Sequence, residues 1–410
     1  MTAEPGTLAG TTIGVVGAGM IGAALAYTCA RAGADVVLFA RTHDGARRGK
    51  SYATRREERA LRAGTTSEAV SQALLDRIRP TARAEDLAQA ALVVEAVAEN
   101  VAVKQQVLRA VESVTAPDVV LASTTSTLPI TTIGSALARP ERFVGMHFFS
   151  PVDRMALVET VVGARTAESA LASALAYARQ LGKTPIVVRD SRGFFTSRVM
   201  ERYLDEAMIA VGEGIDPGVV ERAATDAGYP VPPLQLLDEI SLTLNRDVQR
   251  ENRIAVEDAG GTWHGTRADR VRARMIDDHD RGGRSVGRGF YDYDADGARI
   301  GLWPGLRESF GPVKPIPIDD MRDRLLFVEV VEALRCLAEG VVASAADADS
   351  GSVLGIGFPA HTGGVVSFAR AHPGGVDGFT ARAHELADRY GDRFLPPEPG
   401  PQFNEQPEWP

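Results

Sequence analysis

Ile13-Gly14-Val15-Val16-Gly17-Ala18-Gly19-Met20-Ile21-Gly22 is the stretch that decides the fold. An apolar run ends at Gly17, and from Met20 the spacing of apolar residues changes from that of a strand to that of a helix. Three glycines in G-x-G-x-x-G order sit on that junction. The first makes the turn, the second lets backbone approach a pyrophosphate, and the third lets the helix pack on the strand. The helix start behind them offers unpaired N–H groups to an anion. Alone, the triplet is a glycine-rich turn; between a strand and a helix it predicts a dinucleotide site built from Gly17, Gly19, Met20, Ile21 and Gly22.

The pattern continues outward. A helix is expected from about Met20 to Ala32, followed by the apolar runs ADVVLFA, ALVVEAV and DVVLAST, with further strands at FVGMHFF and TPIVVRD. Short apolar runs alternating with helical stretches predict βαβ units on a parallel sheet, a Rossmann-type doubly wound α/β domain over residues 1–190. The charged stretch from Arg41 to Arg79 reads as a solvated helical pair after the second strand.

Beyond Ser191 strand signals fade. Arg198, Glu206-Ala207 and Glu213-Gly214 recur at one fixed offset as Arg324, Glu332-Ala333 and Glu339-Gly340. Gly228-Tyr229-Pro230 recurs as Gly357-Phe358-Pro359 after a three-residue insertion. Two related all-α domains are therefore expected, over residues 191–310 and 311–410. The segment SVGRGFYDYDADGARIGLWPG between the copies reads as a loop or small hairpin, and FLPPEPGPQFNEQPEWP as an extended proline-rich tail.

Composition narrows the function classes. With 44% hydrophobic and 24% charged residues in 410, the chain has enough apolar side chains for two or three cores. The net charge of −9 is spread along the sequence and offers no basic surface for nucleic acid. Cys29 and Cys336 lie in apolar helical patterns and give neither a disulfide framework nor metal spacing. No basic leader and no membrane-length apolar run is present, so the expectation is a cytoplasmic protein with no membrane or nucleic-acid partner and no metal.

At the ribose end the sequence departs from the usual NAD pattern. The second strand ends at Ala40, where an acidic residue would accept the adenosine ribose hydroxyls, and Arg41-Thr42 follow. Two readings stand: NADP, with Arg41 and Thr42 on a 2′-phosphate, or NAD, with Arg41 a surface arginine. His147, at the end of an apolar strand, is placed to emerge at the sheet's C-terminal edge, and Glu159 follows after a short connection. A carboxylate on one ring nitrogen fixes the tautomer of a histidine that takes a hydroxyl proton while hydride leaves. A lone histidine there is more often structural.

Several separated stretches bear on that choice: GAGMIGAALA, VVEAVAENVAVKQQVL, STTSTLPIT, ERFVGMHFFSPVDRMALVE, LGKTPIVVRDSRGFFTSRV and GRGFYDY. In order and spacing they resemble the 3-hydroxyacyl-CoA dehydrogenase family, in particular the dehydrogenase portion of multifunctional fatty-acid oxidation proteins without the hydratase domain. The resemblance implies His147 as catalytic base, Glu159 as its partner and Ser126 as the contact to the substrate oxygen. It implies Glu99 and Lys104 as cofactor contacts, although the two also suit a purely structural pair. Ser197 stands where the family has an active-site asparagine, and Ala40, Thr124, Ser150 and Ser285 also depart from the pattern.

The family places coenzyme A contacts in the helical excursion, where Arg47, Arg48 and Lys50 cluster. These meet CoA phosphates, assist Arg41 with a cofactor phosphate, or form a solvated helix face. The resemblance thus implies hydride exchange between 3-hydroxyacyl and 3-oxoacyl thioesters, with His147 as general acid/base. The rival expectations are a dehydrogenase of a non-CoA 3-hydroxy acid or carrier-bound thioester, and a nucleotide-binding protein without turnover. The internal duplicate implies a monomer that is itself a pseudo-dimer, with a homodimer as the alternative.

Overall fold

The computed structural model describes residues 8–398 apart from 259 and 264, so the tail from residue 399 lies outside the described residues. Two compact units are present. The first runs to Phe194 and takes in Gly340–Ala343; the second holds Phe195–Glu339 and the described chain from Ser344 onward, so both helical copies fall in it.

In the first unit, strands β1 (Thr12–Val16), β2 (Asp35–Phe39), β3 (Ile78–Thr81), β4 (Leu92–Glu95), β5 (Val120–Ser123), β6 (Phe143–Phe148), β7 (Leu157–Val162) and β8 (Thr184–Arg189) form one sheet. Their order is β3-β2-β1-β4-β5-β6-β7-β8. Every pairing is parallel except β6 with β7. The strands β1, β4, β5 and β6 are buried almost throughout, as a sheet covered on both faces requires. Pro80 and Pro185 lie in β3 and β8, the two ends of that order, where a missing N–H disturbs the ladder least.

Helices α1 (Met20–Arg31), α2 (His43–Arg62), α3 (Glu68–Asp76), α4 (Val101–Val114), α5 (Ile130–Gly134) and α6 (Glu168–Gln180) make the connections. Side-chain caps set three of the starts: Thr42, Ser67 and Asn100 accept from the N–H three residues on. The expected helical pair is α2 and α3, but the stretch assigned to it ends as β3, and the segment that carries Glu159, for which no strand was expected, forms β7. Cys29 and Cys336 are both buried and in no disulfide, and burial pushes the Cys29 thiol up to about 12.

The second unit comprises α7 (Thr196–Gly212), α8 (Pro217–Ala227), α9 (Pro233–Ile240), α10 (Leu242–Asp258) and α11 (Arg267–Ala273), then a hairpin of β9 (Tyr291–Tyr293) and β10 (Arg299–Leu302). It continues with α12 (Leu306–Ser309), α13 (Ile318–Ala338), α14 (Ala345–Ile356), α15 (Val365–Ala371) and α16 (Gly375–Tyr390). The hairpin falls in the segment expected to be a loop or small hairpin.

The repeat is visible as reciprocal contacts. Arg198 on α7 donates to Glu332 at 2.7 Å and to Glu339 at 2.7 Å. Its counterpart on α13, Arg324, donates to Glu206 at 2.6 Å and Glu213 at 2.9 Å, the counterparts of those acids. Tyr229 meets Phe358, its equivalent, edge to face at 6.1 Å. Each copy therefore offers the same groups to the other, the arrangement of a two-fold interface. Among the described residues, no helix is long and apolar enough to cross a membrane.

Candidate active site

The dinucleotide end follows from the glycines. Gly17 has φ +106°, and a Cβ there would lie 2.4 Å from the Ala96 carbonyl oxygen. A Cβ on Gly22 would lie 1.8 Å from the Gly17 oxygen, while one on Gly19 would meet nothing within 4 Å. The first glycine thus makes the turn, the third seats the helix, and the second leaves backbone open to the space outside. That space is a cleft of about 810 Å³ beyond the C-terminal ends of the paired strands β1 and β4, lined by Val16–Gly19, Ala40–Thr42, Gly45, Arg48, Ala96–Ala98 and residues of α4. A crevice at the point where strand order reverses is where open α/β sheets take nucleotides, and these residues fit a dinucleotide. Met20 and Ile21 line a neighbouring cleft instead; Met20 is 73% exposed.

His147 and Glu159 are brought together by the one antiparallel pairing in the sheet. The register of β6 and β7 sets them directly opposite each other, with side chains on one face. His147 Nδ1 lies 2.6 Å from Glu159 Oε2, with both residues buried. A carboxylate there takes the hydrogen on Nδ1 and leaves Nε2 as the acceptor. The imidazole sits beside Phe149 and Phe194, with ring centroids 4.4 and 6.2 Å away. Phe194 holds φ +49°, a conformation seldom adopted outside glycine, beside the candidate base.

Ser126 lies on the loop after β5, and Glu99 holds that loop. Glu99 Oε1 accepts from Thr125 Oγ1 at 2.5 Å and from the Ser126 N–H at 3.2 Å. Burial opposes ionisation of Glu99, but Lys104 and these hydrogen bonds outweigh it and hold its carboxyl below the ordinary range.

Lys104 is 1% exposed and bridges two acids, Glu95 at 2.9 Å and Glu99 at 3.3 Å. Glu95, which the sequence reading missed, is fully buried at the end of β4 and also accepts from Ser123 Oγ at 2.6 Å and the Val97 N–H at 2.6 Å. The signal was available: an acidic residue closing a buried apolar strand needs a cation. Thr124 donates its N–H to the Glu95 carbonyl.

At the ribose end, Arg41 and Thr42 are exposed, and Thr42 caps α2 by accepting from the Gly45 N–H at 3.1 Å. The cations of the helical excursion separate: Arg48 lines the dinucleotide cleft, whereas Lys50 is half-buried and Arg47 exposed, and neither lines it. A second cleft, about 330 Å³, is lined by Arg55, Arg56, Arg59 and Arg154 with Tyr52 and Ser150. Two of these lining residues meet Asp153, which pairs with Arg56 and accepts from the Tyr52 hydroxyl at 2.7 Å. Ser197 lies in the first turn of α7, in the second unit, and Ser285 is exposed in a turn of that unit.

Comparison with known proteins agrees with this geometry. Residues 12–191 match the model for the 3-hydroxyacyl-CoA dehydrogenase NAD-binding domain, and residues 193–293 that for the C-terminal domain of the same family. A fatty acid oxidation complex subunit alpha from Pseudomonas paraeruginosa is 34% identical over 391 residues, covering 92% of this chain and 52% of its own. The chain thus spans about half the length of the curated relatives it matches.

Among solved structures, a (S)-3-hydroxybutyryl-CoA dehydrogenase from Ralstonia eutropha is 32% identical with a TM-score of 0.64, over 69% of this chain and 99% of that one. A 3-hydroxybutyryl-CoA dehydrogenase from Escherichia coli shares the fold over 94% of this chain and 96% of its own, with a TM-score of 0.80 at 24% identity.

Proposed function

Because the chain belongs to the 3-hydroxyacyl-CoA dehydrogenase family, we propose that it interconverts 3-hydroxyacyl and 3-oxoacyl thioesters with a nicotinamide cofactor. The observation that carries this reading is the buried contact of His147 Nδ1 with Glu159, which reserves Nε2 for the substrate. In oxidation Nε2 takes the proton of the C3 hydroxyl; in reduction it returns one. Glu159 stabilises the imidazolium formed in between. Ser126, on the loop fixed by Glu99, donates to the same substrate oxygen. A bound nicotinamide supplies hydride exchange at C3.

Three finer assignments go with this reading. Ala40 and Arg41 favour NADP(H) over NAD(H), since the acid that would repel a 2′-phosphate is missing. The arginine-lined cleft at Arg55, Arg56, Arg59 and Arg154 suits the phosphates of a coenzyme A handle better than Arg47 and Lys50 do. The reciprocal helical copies suit a monomer, and two buried thiols suit a reducing cytoplasm.

The test is acetoacetyl-CoA reduction followed by loss of absorbance with NADH and NADPH in parallel. The wild type is expected to turn over, with NADPH favoured, and His147→Ala to lose about 10²–10⁴-fold in kcat. Turnover of a carrier-bound thioester or free 3-oxo acid, but not the CoA ester, would move the substrate assignment. Tight cofactor binding without turnover on any of them would leave a nucleotide-binding protein.

A further inference from the structure

Within the dinucleotide cleft, three groups from consecutive parts of the chain converge on Gly45. A methyl group placed on Gly45 would lie 3.1 Å from Thr42 Oγ1, 3.6 Å from Ala40 Cβ and 3.9 Å from Arg48 Nη2. Ala40 ends the run through β2, Thr42 is the cap of α2, and Arg48 is on the second turn of that helix, one turn beyond Gly45. Arg41, Thr42, Gly45 and Arg48 all line the cleft that the glycine loop opens onto. Among the described residues neither Arg41 nor Arg48 forms a salt bridge, although Asp44 lies between them in sequence.

The Thr42 oxygen is engaged as an acceptor by the Gly45 N–H, which leaves its hydroxyl hydrogen to give. The absence of a side chain at Gly45 keeps space open between the hydroxyl and the guanidinium. Two cations and a hydroxyl donor line an uncharged floor at the first turn of a twenty-residue helix, and the acid of that turn, Asp44, does not line the cleft. That chemistry recognises a phosphomonoester.

We propose that Arg48 is a specificity-determining residue, the second arm of a clamp for the adenosine 2′-phosphate of NADP(H), closing on it from α2 while Arg41 and Thr42 close from the β2 end. The inference deepens the NADP(H) assignment made above and rests on it. It also removes Arg48 from the group of cations offered to coenzyme A, whose ribose carries a phosphomonoester of the same chemistry.

The two sources separate by titration. Dissociation constants for NADPH and NADH are measured by nicotinamide fluorescence without acyl substrate, in wild type, Arg41→Ala, Arg48→Ala and Arg48→Lys, with 2′,5′-ADP as a competing probe. Arg48→Ala is expected to weaken NADPH and 2′,5′-ADP about tenfold, loss of one charge-assisted contact, and to leave NADH within about twofold. Arg48→Lys should recover part of that loss, and higher salt should weaken NADPH more than NADH.

Unchanged NADPH binding in Arg48→Ala, with Arg41→Ala weakened, overturns the role of Arg48 while the NADP(H) reading survives. Equal binding of NADH and NADPH by the wild type sinks both. A rise in the KM for acetoacetyl-CoA in Arg48→Ala, with NADPH affinity intact, would give the arginine to the CoA phosphate.

Discussion

In the proposed reaction the role of His147 depends on which ring nitrogen holds the hydrogen, and the contact with Glu159 sets it. The carboxylate is fully buried and 2.6 Å from Nδ1. Glu159→Gln keeps the shape but can offer its amide hydrogen to Nδ1, which favours the tautomer with hydrogen on Nε2, the wrong one for accepting a proton. Its kcat is expected to fall about 10²–10⁴-fold with KM for the thioester changed far less, while the melting temperature stays near wild type. Steady-state kinetics with a thermal melt in parallel checks it; a loss confined to KM would show that the pair serves binding. The residue types of this site were legible in the sequence, and the resemblance added weight to the pairing of Glu159 with His147. Their distance was not legible, because it rests on an antiparallel register between strands joined by a connection of unread geometry.

Elements were read where their apolar runs are long and missed where the run is short or interrupted. β3 reads Ile-Arg-Pro-Thr, four residues with a proline, and β7 is broken by Glu159 and Thr160. Both become strands because the sheet supplies their partners, a tertiary cause that no local pattern carries. Glu95 was missed although its run was read as a strand, because an acid closing a buried strand calls for a cation and Lys104 was assigned to Glu99 alone. Lys104→Met leaves the fully buried Glu95 without its cation and removes the same charge from the more exposed Glu99. The expected cost is about 3–5 kcal/mol, read from chemical denaturation, and restoring only bulk does not recover it. A loss below about 1 kcal/mol would mean that water replaces the ammonium.

The hairpin of the second unit makes a pH-dependent contribution. Glu221 on α8 accepts from the Tyr291 hydroxyl at 2.5 Å and the Leu234 N–H at 2.7 Å. Burial pushes its carboxyl from the ordinary 4.5 up to about 7, against the pull of these bonds. Between those values the folded chain holds more protons than the unfolded chain, so this group's contribution is largest below about 4.5 and is lost as pH rises to about 7. Melting of wild type against Glu221→Gln should show the wild type losing ground to the variant across that window. A difference independent of pH would mean that Glu221 is ionised in both states.

On the scale of the whole molecule, the duplication was legible as matched residues, and the structure adds that the matched residues bind each other. The helical surface of each copy meets its counterpart inside the same chain, since Arg198 takes Glu332 and Glu339 while Arg324 takes Glu206 and Glu213. Sedimentation equilibrium is therefore expected to give the single-chain mass of 43.7 kDa; twice that mass, persisting on dilution, would mean that another surface pairs the chains. The two arginines, equivalent by sequence, differ in what their loss leaves behind. The Arg324 side chain is 0% exposed and that of Arg198 is 20% exposed. Removing Arg324 leaves Glu206, 1% exposed, with Arg393 as its remaining cation. Arg324→Ala is expected to cost about 3–5 kcal/mol. Arg198→Ala should cost less, because water reaches the half-exposed Glu339 and Arg202 still meets Glu332. Equal losses in denaturant titrations of the two variants would mean that the two-fold relation extends to the energetics, and that burial does not distinguish the copies.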